Sequence, residues 1–341
     1  MAARPHPGQL TLWTAAVTAP EPVEPAPPGE GVVELAARLP PGVRLGTSSW
    51  AFPGWAGLVY ARDHPQELLA REGLRAYARH PLLGCVGLDR TYYGPVPVEQ
   101  LQAWAGQVPA AFRFVAKGWE EVTLPAFPDH PRYGRRAGQP NPRFLDATVF
   151  RDEVLAPLVA GLGPLLGAVV LEFSPMDPAR VNGPVGFATQ LGRFLAAAAA
   201  PVPVSVELRN PELLTPEYVT ALQETGSGHV CNRWSRMPPL ARQWAVTGLP
   251  GRGPVILRLL LPPGRTYAER LAQCTPFAQL VDTDPSMRDD VEALVRAALA
   301  AGREVLVVVN NKAEGSAPRT VEALARRLVG GGVDARAPVG K

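Results

Sequence analysis

The sequence predicts a (β/α)8 TIM-barrel-like fold in a single domain. Three observations predict it. Eight short apolar runs follow one another between residues 43 and 330, alternating with stretches of helical spacing. The runs are apolar almost throughout rather than at every second residue, as parallel strands covered on both faces read. No run leads into a GxGxxG or Walker phosphate loop, which disfavours a doubly wound open sheet. The span also suits a barrel, typically of ~250 residues.

In chain order, the first strand reads VRLGTS (43–48), and a helix follows over 65–80, where Leu68, Leu69, Leu74 and Tyr77 recur at helical spacing. Next come GCVGLD (84–89) and a helix over 97–108, then FRFVAK (112–117) and a long irregular excursion. A helix near 147–162 precedes GAVVLEF (167–173), and a Gly/Ala-rich helix (184–200) precedes VPVSVEL (202–208). The helix 215–225 leads to HVCNRW (229–234) and on to PVILRLLL (254–261). The last elements are a helix over 286–301, EVLVVVNN (304–311) and a helix over 317–329. Residues 1–42 read as a Pro-rich, flexible or extended arm, 43–330 as the barrel, and 331–341 as a tail.

Composition narrows the classes. Hydrophobic residues make up 46% and charged residues 19%, which is ordinary for a globular core. The net charge of +3 is far from a nucleic-acid footprint of clustered basic residues. Cys85, Cys231 and Cys274 are too few and too scattered for a disulfide framework or a zinc knuckle, so a reducing, cytoplasmic compartment is expected. The N-terminal apolar run LTLWTAAV is too short for a secretory signal, and no stretch reaches the 18 apolar residues of a membrane span.

In a barrel, chemistry gathers where strands end. Those positions hold Thr47, Ser48, Ser49 and Trp50; Asp89, Arg90, Thr91, Tyr92 and Tyr93; Lys117; Glu172; Glu207 and Arg209; Asn232, Arg233 and Trp234; Arg258; and Asn310, Asn311 and Lys312. Each has a bland explanation. A strand-terminal Asn serves as a helix cap, and Glu207 with Arg209 share one strand face as an ion pair would. Eight polar ends at one mouth favour a site.

The stretch LGTSSWAFPGWAGLVY (45–60) resembles the opening signature of the YecE-like family, domain of unknown function 72. The similarity runs on in order through VGLDRTYYGPVP, FRFVAKGWEEVT, LGAVVLEFSP, VPVSVELRNPE, VILRLLL and VLVVVNNKAEGSAP. It implies a TIM-barrel-like fold related in shape to the xylose isomerase and endonuclease IV group, and no established activity. The chain departs from the family pattern at Ser49, Phe52, Gly87, Leu124, Glu172, Ser174, Asn210 and Leu260. It keeps Trp50, Trp55, Thr91, Tyr92, Tyr93, Lys117, Glu207, Arg209, Arg258, Asn310 and Asn311. The resemblance therefore implies a divergent member.

Three chemistries use residues of this kind. Multinuclear metal catalysis needs several histidines, and only His64 and His130 fall on loops near the mouth, so no metal is expected. Glu172 and Glu207 end adjacent strands and suggest a glycosidase-like pair, with Glu207 depressed by Arg209 and Glu172 free to be the acid. Lys117, Arg209 and Arg258 suggest an anion site. Around it, Trp50, Tyr92 and Tyr93 would form an aromatic wall, and Asn310 and Asn311 would direct hydrogen bonds. Trp55, between Gly54 and Gly57, reads as packing. No Ser or Cys has an identifiable base partner, and Cys85 and Cys231 read as buried, inert thiols.

The resulting expectation is a barrel that binds an anionic small molecule, phosphorylated or nucleotide-like. Metal-independent acid/base chemistry would be carried by Glu207, Glu172 and Lys117, and no cofactor is expected. One alternative is a non-catalytic metabolite- or nucleic-acid-binding barrel, which the losses at Gly87, Leu124 and Leu260 favour. Another is the glycosidase-like hydrolase. Nucleic acid is the less favoured partner, and no membrane partner is expected.

Overall fold

The computed structural model describes residues 22–330. Eight parallel strands close into a barrel in sequence order, β1-β2-β3-β4-β5-β6-β7-β8. They are β1 Val43–Thr47, β2 Cys85–Leu88, β3 Arg113–Lys117, β4 Leu166–Phe173, β5 Val204–Leu208, β6 Gly228–Arg233, β7 Val255–Leu259 and β8 Val305–Val309. Closure comes from β8 on β1, in register from Val43↔Val305 to Thr47↔Val309. Runs such as Val305–Val309 extend readily because branched side chains pack well on a pleated surface. Here both faces are covered.

The inner and outer faces separate by period two. Cys85, Val115, Ala168, Val170, Val230, Ile256, Leu306 and Val308 form one closed cluster inside the barrel. Their neighbours in sequence, among them Leu171, Leu257, Val307 and Val309, face outward into a larger core shared with the helices. Each such Val or Leu contributes about 1.5–3 kcal/mol of burial.

Further along these inner faces, two residues on except in β2, where Gly87 intervenes, the chemistry changes abruptly. After the apolar cluster come Asp89, Lys117, Glu172, Asn232, Arg258 and Asn310 on the same parity. Glu207 joins them through its register with Glu172. The barrel is apolar inside and charged at its C-terminal end.

The expected helices are present, with Gly73 dividing the first into Gln66–Glu72 and Leu74–Tyr77. Three α-helices of six residues or more were not anticipated: Val32–Ala37, Leu240–Thr247 and Tyr267–Cys274. They are short and flanked by proline or polar residues, so helical periodicity had little length over which to show. Residues 23–35 lie against the barrel: Pro25 bridges Tyr60, Ala26 N–H donates to Val59 O at 2.9 Å, and Val23, Val32 and Leu35 are buried. The first part of the arm, residues 1–21, and the tail 331–341 lie outside the described residues. Among the described residues no helix is long and apolar enough to cross a membrane.

Candidate functional site: a buried charge cluster at the barrel mouth

Strand register and alternation bring six charged side chains together. Glu172 and Glu207 are paired positions on β4 and β5. Lys117 comes from β3, Arg258 from β7, and Asp89 and Arg209 sit just past β2 and β5. Glu172 Oε2 receives Lys117 Nζ at 2.8 Å, Arg209 Nη2 at 3.1 Å and Arg258 Nη1 at 3.1 Å. Arg258 also donates to Glu207 Oε2. Asp89 Oδ1 bridges Lys117 and Arg258, 3.2 Å from each. Three cations face three carboxylates, so the cluster is internally balanced, which buried charge requires.

Burial grades across the cluster. The side chains of Glu207 and Arg258 are 0% and 3% exposed, whereas Asp89 is 37% exposed and forms the solvent edge. Burial alone would push the Glu172 carboxyl up. Lys117, Arg209 and Arg258 outweigh it and hold that carboxyl well below the usual carboxylate range. Burial would lower Arg258, but Glu207, Asp89 and Glu172 reverse this and raise it.

The assignment of Glu172 as a free acid is therefore overturned. An acid needs a proton near neutral pH, and three cations on one oxygen keep Glu172 ionised. The pairing with Glu207 stands in the register, but the arginines bridge both carboxylates instead of leaving one isolated.

Four buried polar atoms in this region have no hydrogen-bond partner: Ser48 Oγ, Glu207 Oε1, Arg209 Nε and Asn232 Oδ1. Glu207 Oε1 lies 2.6 Å from Arg209 Nη2, an ion-pair distance, yet no N–H is directed at it. The electrostatic contact is real, and the directional bond is missing. Asn232 donates Nδ2 to Leu208 O at 3.0 Å, which leaves its oxygen as an acceptor.

The aromatic wall is partly as expected. Tyr92 is buried beside the cluster, with Lys117 Nζ 5.1 Å from its ring centroid and its hydroxyl 2.8 Å from Ser174 Oγ. Burial, then Glu172, push its phenol further up. Tyr93 is 64% exposed on the rim, under Arg132. Trp234 carries Arg209 at 5.1 Å.

Three expected site residues are elsewhere employed. Trp50 is buried outside the mouth, donating Nε1–H to Leu69 O at 3.0 Å and packing edge-on to Trp104. Asn310 caps the turn after β8, accepting from Lys312 N–H at 3.0 Å. Asn311 Oδ1 accepts from Trp55 Nε1 at 3.2 Å and from Ala317 N–H at 2.8 Å. Trp55 is fully buried and packs, as the sequence suggested. Asp89, Asn232 and Trp234 were visible only as strand-end residues. Counting by twos along the inner face from Cys85 and from Val230 reaches the first two, and is the signal that could have singled them out.

Of the remaining reactive groups, the buried thiols are held protonated. Burial pushes the thiols of Cys85 and Cys231 up to about 12. His64 is buried, and His130 is exposed with its Nδ1 accepting from Arg132 N–H. Among the described residues no three His, Cys, Asp or Glu side chains are grouped as metal ligands. At the opposite face a cleft of about 490 Å³ runs past Pro203, Glu224 and Arg252, with no convergent charged set. The convergent charged set lies at the mouth.

The family described as "Protein of unknown function DUF72" matches residues 44–339. The chain belongs to the DUF72 family. Its fold is similar to that of a DUF72 protein from Enterococcus faecalis V583, at 17% identity and a TM-score of 0.51, covering 88% of this chain and 99% of that one. It is similar too to a DUF72 protein from Thermotoga maritima MSB8, at 18% identity and a TM-score of 0.50, covering 84% of this chain and 97% of that one. No curated protein matches the sequence. Membership of DUF72 agrees with the resemblance read from the strand-end motifs, and the closed eight-stranded barrel agrees with the fold it implied.

Proposed function

We propose that the barrel mouth binds an anionic small molecule, phosphorylated or nucleotide-like, through Lys117, Arg209 and Arg258. One observation carries the reading: three cations from three strands or strand ends converge within 3.1 Å of a single carboxylate oxygen. Such convergence is how proteins hold phosphate and carboxylate groups. Asp89 is the exchangeable partner. It is the most exposed member and holds Lys117 and Arg258 at a longer 3.2 Å. An incoming anion takes its place, while Glu172 and Glu207 keep the cations positioned.

Binding without turnover is the better-supported form. Glu172 is held ionised and the Tyr92 phenol is held protonated, so neither trades a proton near pH 7. A net charge of +3 does not supply the long basic track that nucleic acid needs. Three free, buried cysteines suit a reducing, cytoplasmic setting.

Calorimetric titration with inorganic phosphate tests the reading. Asp89→Asn removes the competing charge and is expected to tighten binding roughly tenfold, about 1.4 kcal/mol. Lys117→Met is expected to weaken it by a similar factor. Equal phosphate affinity in the wild type and both variants, or none in any, would sink the proposal.

A further inference from the structure

We infer that the mouth takes a polyhydroxylated anion, a sugar phosphate, in preference to a nucleotide or bare phosphate. The inference rests on the anion-binding reading and adds the rest of the ligand to it. Buried polar groups are nearly always hydrogen-bonded, so those left open define what a ligand must bring. Ser48, Glu207, Arg209 and Asn232 are each more than nine-tenths buried and each has an atom without a hydrogen bond, Glu207 Oε1 being ion-paired with Arg209 Nη2 at 2.6 Å but receiving no directed N–H. Ser48, Glu207 and Asn232 fall on inward-facing parity at the ends of β1, β5 and β6, and Arg209 follows Glu207 by two.

Their chemistry is mixed. Arg209 Nε–H is a donor and takes an anionic or ether oxygen. Glu207 Oε1 and Asn232 Oδ1 only accept, and Glu207 repels a second anion. They require O–H or N–H groups from the ligand, and Ser48 Oγ pairs with either kind. A phosphate alone satisfies the cations and leaves the acceptors open. A sugar phosphate brings hydroxyls that both donate and accept.

A nucleobase fits less well. The ring faces turned toward the cluster are already covered by its own cations, Arg209 over Trp234 and Lys117 over Tyr92, both at 5.1 Å. A base would have to displace them to stack. Hydroxyls need no such rearrangement.

The test is calorimetric titration of inorganic phosphate, ribose 5-phosphate and adenosine 5′-monophosphate into the wild type, Ser48→Ala and Asn232→Leu. Ribose 5-phosphate is expected to bind at least tenfold tighter than phosphate, and the monophosphate no tighter than ribose 5-phosphate. The ratio of ribose 5-phosphate to phosphate affinity is expected to fall roughly tenfold in each variant, the effect of one buried hydrogen bond. Ser48→Ala removes only a hydroxyl and carries the test alone if Asn232→Leu does not fold. Equal binding of phosphate and ribose 5-phosphate overturns the inference and leaves anion binding standing. An unchanged ratio in the folded variants, or tighter binding of the nucleotide, overturns it too. Binding of none of the three removes the anion site itself.

Discussion

Arg258 is 3% exposed and touches carboxylates that come from three different strands or strand ends: Asp89, Glu172 and Glu207. Taking away one partner of such a buried set leaves charge without compensation, which is far more damaging than never having had the set. Arg258→Met is therefore expected to lower unfolding free energy by about 3–5 kcal/mol in denaturant titration. The double variant Arg258→Met with Glu207→Gln is expected to lose clearly less than the two single losses added. Additive losses would mean that Arg258 and Glu207 do not depend on each other. Trp50 and Asn311 teach the opposite lesson at the same scale. Both stand at strand ends in the sequence, yet one packs on Trp104 and the other ties Trp55 to the helix at Ala317.

Among the elements, β6 shows how one strand serves both core and mouth. Asn232 faces inward above Val230, while His229 faces outward into the helices, with Nδ1 2.8 Å from Tyr218 hydroxyl. Burial pushes His229 down to about 4, although a bond to Gln243 opposes it. Between that value and the usual 6.5 the folded state binds fewer protons than the unfolded chain. Its contribution is thus fully present above pH 6.5 and is lost as pH falls toward 4, up to about 3 kcal/mol. Urea unfolding across this window is expected to show the loss, and His229→Gln to flatten it. An unaltered pH slope in that variant would assign the titration to other groups.

All eight strands were legible, because a buried parallel strand is apolar whichever way it faces. The helix Leu240–Thr247 was not, since it spans only two turns. The excursion after β3 gave no periodic signal either. It is held by buried polar contacts that no local pattern announces: Glu120 to Arg132 and Tyr133, and Asn141 Nδ2 to Glu121 O and Leu124 O at 2.6 and 2.7 Å.

At the scale of the molecule, the barrel has an apolar floor inside and a balanced charge cluster at one end. The charged groups of the mouth draw on five strands or strand ends at once, so a ligand bound there would couple to the stability of the whole barrel. A ligand that fills it is expected to raise stability by about 2.7 kcal/mol at a hundred times its dissociation constant. Thermal melts with increasing phosphate would read this as a rising midpoint. A midpoint that rises equally in Lys117→Met would trace the effect to general salt action rather than to the mouth.

The sequence by itself determined the barrel, the family and the list of polar strand ends. Those follow from local signals, namely apolar runs, their spacing and short motifs at their ends. Tertiary structure alone decided which ends meet. Lys117 and Arg258 are 141 residues apart and share one carboxylate oxygen, while Asn310 and Asn311 are adjacent and perform separate capping tasks. Closure of the barrel sets these pairings through register, and a shift of one residue would turn each inward charge out. The ionisation of Glu172 was decided there as well. A depressed carboxyl depends on three cations arriving from distant segments, and no single stretch of the chain contains that information.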